Sequence, residues 1–120
     1  MPQPANLPAA RLSLGLALLL NAAVVFSPSA PGIPLFPYAD KVVHLSIFAI
    51  PAALFALAGL SVPAWGAGLT AYAVGTEVIQ ATLLPQRSGS VGDLVADLSG
   101  IALGVLIGWG IPIVGADAGQ

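Results

Sequence analysis

Three short stretches hold most of the side chains in this sequence that could do chemistry. "DKVVH" brings Asp40, Lys41 and His44 together, and "EVIQ" brings Glu77 and Gln80. "PQRSGSVGDLVAD" supplies Arg87, Asp93 and Asp97. Carboxylates beside an imidazole can exchange protons as general acid and base, so the catalytic candidates are His44, Glu77, Asp93 and Asp97. Hard oxygens with one imidazole also suit a divalent metal ion such as magnesium, manganese or zinc; the metal candidates are His44, Glu77 and Asp97. Arg87 could hold a phosphate through two parallel hydrogen bonds. All eight residues, Asp40, Lys41, His44, Glu77, Gln80, Arg87, Asp93 and Asp97, form the candidate ligand-binding set.

These groups sit in a chain that otherwise avoids charge. Of 120 residues, 58% are hydrophobic and only 7% are charged, against about 25% in an ordinary soluble domain. That surface cannot be covered with polar groups, so the bilayer is the expected partner. The length fits a single domain over residues 1–120. A net charge of −2 excludes a basic nucleic-acid footprint. With no cysteine, there is neither a disulfide framework nor a thiolate metal site.

Four apolar stretches must position the polar residues: about 8–26, 40–60, 63–84 and 92–114. Each approaches the roughly 20 residues that cross a bilayer as a helix. Backbone groups in hydrocarbon must pair within their own segment, so the expected fold is an all-α, four-helix transmembrane bundle. The proline-rich "SPSAPGIPLFPYA" reads as an external loop. Pro63 suits a first helical turn, Ser90 a helix cap, and Pro51 should kink the second helix. Gly100, Gly104 and Gly108 repeat a small-xxx-small spacing that lets another helix approach closely, whether from a membrane partner or from a homo-oligomer. Residues 1–30 also admit reading as a cleaved signal, although Pro31 disfavours cleavage there. Arg11 argues for a cytoplasmic N-terminus.

In such a bundle the connections after the first and third helices share one side. At about 1.5 Å per residue, His44, Glu77 and Asp97 each lie roughly 6–10 Å inside the helix ends on that side. Four carboxylates there face two fixed cations, Lys41 and Arg87, so even a protonated His44 leaves one negative charge in excess. Either a carboxyl holds its proton or something positive binds. Singly, several pieces have plainer readings: Asp40 and Lys41 as interfacial anchors, Asp93 as complement to a helix dipole. Trp65, Tyr72 and Trp109 read as packing or interfacial aromatics. Glu77 and Asp97 resist such readings, because a carboxylate within a span costs several kcal/mol, of order 3.

The same residues carry a resemblance. "DKVVHLSIF", "EVIQ" and "PQRSGSVGDLVADLSG" resemble the VanZ-like family of small bacterial membrane proteins, whose pattern runs D-K-x-x-H, then E-x-x-Q, then P-x-R and D-x-x-[AN]-[DN]-x-x-G. The match covers residues 40–104 and carries over to Asp40, Lys41, His44, Glu77, Gln80, Arg87, Asp93, Asp97 and Gly100. Gln86 stands where many members have glycine, and Asp97 where asparagine is frequent. The resemblance implies a multi-pass protein of the bacterial plasma membrane, acting near the cell envelope, with a lipid-linked wall precursor as a candidate partner. Three functions follow as expectations. The first is binding or acting on an envelope lipid or lipid-linked headgroup at the outer interface. The second is a structural or regulatory partner whose helices are locked by charge, and the third a proton or ion relay.

Overall fold

A computed structural model describes residues 7–26, 38–83 and 91–110. They form four helices: α1 (Leu7–Val25), α2 (Ala39–Leu57), α3 (Val62–Thr82) and α4 (Val91–Gly110). No strand occurs among the described residues, and the all-α bundle expected from composition is the fold. The expected kink at Pro51 and the end of the fourth stretch meet different fates. Pro51 lies inside a continuous α2, while residues 111–114, like Arg87 and Ser90, lie outside the described residues.

Helices α1, α2 and α4 are long and apolar enough to cross a membrane. α3 is as long, at 21 residues, but falls outside that group. Gly66, Gly68, Thr70, Gly75, Thr76, Glu77 and Gln80 dilute its hydrophobicity. Apolar side chains fill the core, among them Val25, Phe48, Ala52 and Phe55, and apolar side chains cover the outside as well. Leu12, Leu16, Leu19, Leu103 and Leu106 face outward, whereas Asn21, His44, Thr76, Gln80, Asp93 and Asp97 are buried. An outer surface this rich in leucine suits a lipid surrounding.

Each helix boundary has a local cause. Ser61 caps α3 by accepting from the Ala64 amide at 3.3 Å, and Pro63 occupies the first turn, where a missing amide hydrogen costs nothing. α2 stops at Leu57 rather than the expected Leu60. Gly59 takes φ 73°, its amide bonds the Ala56 carbonyl, and the Leu60 amide reaches back to Phe55. This pair of reversed bonds is a Schellman closure, which a hydropathy reading passes over.

Pairing between helices fixes the topology. Gly100, Gly104 and Gly108 meet Leu45, Ala49 and Ala53 in ascending order, so α4 runs parallel to α2. Asn21 meets Tyr72 and Val25 meets Gln80, so α1 and α3 are parallel too. Contacts of Phe48 with Tyr72 and Phe55 with Trp65 run in opposite order, making α2 and α3 antiparallel. One end of the bundle therefore gathers the close of α1 and α3 with the start of α2 and α4. On the flank, α1 and α3 part around an apolar cavity of about 460 Å³, lined by Leu14, Leu18, Phe55, Trp65 and Leu69.

The glycine stripe is spent inside the chain. A Cβ on Gly100 would be driven into the Leu45 carbonyl, one on Gly104 into that of Ala49, and one on Gly108 would lie 2.6 Å from that of Ala53. The expectation that Gly100, Gly104 and Gly108 dock a homo-oligomer or membrane partner is thus corrected. α2 already covers that face, because backbone approach this close requires hydrogen in place of a side chain.

Candidate functional site

The three sequence stretches meet at the gathered end of the bundle. His44 projects from the second turn of α2, on the stripe continued by Phe48, Ala52 and Phe55. Asp93 and Asp97 stand one turn apart on α4, on the stripe continued by Gly100 and Gly104. The close glycine contact between these helices brings the two stripes together, so the polar site is a continuation of the tightest packing in the molecule. α3 adds Glu77 and Gln80 from its last two turns, both buried.

The imidazole of His44 lies between two aspartates. Its Nδ1 is 2.8 Å from Asp97 Oδ1, and its Nε2 is 3.8 Å from Asp93 Oδ2. Asp97 is 0% exposed, and its second oxygen, Oδ2, is buried without a hydrogen-bond partner among the described residues. A buried carboxylate oxygen left in that state is costly. Glu77 completes the group: His44, Glu77 and Asp97 each present one ligand atom, all within 4.8 Å of one another. The candidate metal trio read from sequence is therefore one cluster in space, and the catalytic candidates His44, Glu77, Asp93 and Asp97 share that end.

Lys41 and Asp40 occupy the rim. The Lys41 ammonium donates to Asp93 Oδ1 at 2.6 Å and to Asp40 Oδ2 at 2.8 Å. Asp40 and His44 are four residues apart, a spacing that sets two side chains on one helical face, but the Asp40 side chain is 59% exposed. The inward stripe instead pairs His44 with Lys41, three residues back. Asp40 consequently borders the site through Lys41 and does not line its buried part. Arg87 lies outside the described residues.

Gln80 has a different task from the one its motif suggested. Its Nε2 donates to the Val25 carbonyl at 2.9 Å, satisfying a carbonyl in the last turn of α1 that has no helical partner of its own. Asn21, which the sequence reading passed over, does the equivalent one turn earlier. Its Nδ2 donates to the Ile47 carbonyl at 2.9 Å. That carbonyl is the one Pro51, four residues on, cannot bond. Tyr72 donates to Asn21 Oδ1 at 2.8 Å while its ring packs on Phe26 and Phe48. It is a packing aromatic, as expected, with a polar task added. An asparagine in an apolar run followed by a proline in the next helix was the available signal. Trp65 and Trp109 are partly exposed, in keeping with an outward role.

Chemically, the arrangement offers a buried imidazole flanked by carboxylates, with a lysine holding the outer aspartate. It can pass or share a proton, or coordinate a cation. No family model, curated protein or solved structure matches this chain.

Proposed function

We propose that this chain is a VanZ-like protein of the bacterial plasma membrane whose polar end binds or acts on an envelope lipid or lipid-linked headgroup. One observation carries the reading: three helices bury His44, Glu77, Asp93 and Asp97 together at one end of a bundle that is mostly apolar. Ionisable groups in a membrane segment are expensive and mark functional sites, and their depth of one to three turns suits a headgroup-level ligand. The site is assigned to the outer interface, with the N-terminus and Arg11 cytoplasmic. The test is lipid retained by protein purified in mild detergent and analysed by native mass spectrometry. Glu77→Gln and Asp97→Asn should strip a bound lipid species that the parent chain keeps. Equal lipid occupancy in folded variants and parent would end this reading.

A second reading is favoured by the bridge from Lys41 to Asp93, which ties α2 to α4. Here the charges are an interhelical lock in a structural or regulatory membrane protein. The exchange Lys41→Asp with Asp93→Lys separates the two. A lock recovers thermal stability in the double variant, whereas a headgroup site stays inactive because the charge pattern offered to ligand is changed. For a relay, polar groups would be needed through the full depth, and α4 beyond Asp97 offers only glycine, serine and apolar side chains down to Gly110.

A further inference from the structure

We infer that His44, Glu77 and Asp97 form a binding site for one divalent cation of the manganese or zinc type, placed between α2, α3 and α4. Three observations meet there. The donor atoms already lie within 4.8 Å of one another, whereas ligands about 2.1 Å from a common ion sit roughly 3–4 Å apart, so closing on an ion takes only side-chain adjustment. Asp97 is fully buried, and its Oδ2 has no hydrogen-bond partner among the described residues; a cation supplies a counterpart. His44 Nδ1 and Asp97 Oδ1 stand 2.8 Å apart, close to the separation of two ligands on one ion, and an ion bound by both would displace the proton they share.

The donor set decides the class of ion. One imidazole with two carboxylates suits manganese or zinc better than calcium, which takes six to eight oxygens. Three protein ligands leave coordination positions open, and a site with open positions can take water or an anionic group from a ligand. The link to a headgroup rests on the proposed function: an acidic cluster accepts a phosphate most readily through a bridging cation. Metal binding itself does not depend on that reading.

The test uses full-length protein in nanodiscs of zwitterionic lipid, with empty nanodiscs as the control for surface ions. Manganese is titrated and followed by electron paramagnetic resonance, and zinc-loaded protein is studied by X-ray absorption. The expected result is one ion per chain above the control, with an imidazole nitrogen in the first coordination sphere. Asp97→Asn and Glu77→Gln should weaken binding by more than about tenfold, since even the groups that merely orient metal ligands are worth roughly 10–100-fold. Binding no greater than in empty nanodiscs, or a spectrum with oxygen ligands alone, overturns the site. The spectrum is read on the parent chain and stands even if a variant fails to fold. Metal bound by the parent chain, with lipid occupancy equal in parent and variants, would uphold this site and remove the headgroup reading; lipid lost from the variants, with no metal bound by the parent, would do the reverse.

Discussion

Proline at position 51 takes away the amide hydrogen that would have bonded the Ile47 carbonyl within a span, and the Asn21 amide replaces it from a neighbouring helix. The two residues therefore depend on each other. Asn21→Ala should lower stability by about 1–2 kcal/mol, the range of the stronger hydrogen bonds measured inside membranes. The same substitution in a Pro51→Ala background should cost clearly less, because α2 then closes its own bond. Thermal or denaturant unfolding of the four proteins checks this as a double-mutant cycle. At the rim, Lys41 bonds one exposed and one buried aspartate. Asp40→Asn should leave the melting temperature nearly unchanged, since exposed pairs contribute little. Asp93→Asn should lower it, by leaving Lys41 without its inner partner; equal effects would contradict the burial difference.

At the scale of elements, the contact of α2 with α4 decides where the site lies. Gly104→Ala places a Cβ against Ala49 and Ala52 and should destabilise by at least about 1–3 kcal/mol, as overpacking does. Gly75→Ala meets nothing within 4 Å and should be neutral or slightly stabilising, because alanine is the better helix former. Unfolding in detergent distinguishes the two. Gly104→Ala should also weaken manganese binding, by prising His44 from Asp97, although residue 104 lies well away from the cluster. α1 contributes differently, through Asn21 and the Val25 carbonyl rather than through close backbone approach. Removing it as a signal segment would leave the Ile47 carbonyl without its partner.

Across the whole molecule, the two parallel pairs, α1 with α3 and α2 with α4, set Asp40, Lys41, His44, Glu77, Asp93 and Asp97 at one end. The proposed orientation predicts the face from which each end is reached. The parent chain lacks cysteine, so single cysteines report without background. With Tyr38, which is 76% exposed, replaced by cysteine, an impermeant thiol reagent should label intact cells. With Ser61 replaced it should not, until the membrane is opened. Labelling in the reverse order would place the polar end in the cytoplasm.

Much of this was legible without coordinates. Composition dictates a lipid surrounding, because 7% charge cannot clothe a water-facing surface, and hydrocarbon dictates helices. The spacing of His44, Glu77 and Asp97 from their helix ends already put them at one level, because rise per residue is fixed. Only the tertiary structure decided what each group faces. A four-residue spacing put Asp40 on the face of His44, but packing turned Asp40 outward and brought Lys41, three residues before His44, against Asp93 instead. The glycine stripe promised a close neighbour without saying whose helix it was, and α2 of the same chain fills it. Asn21 and Gln80 act on carbonyls 26 and 55 residues away. No local pattern encodes such pairs, because the need arises from a proline or a helix end elsewhere in the fold.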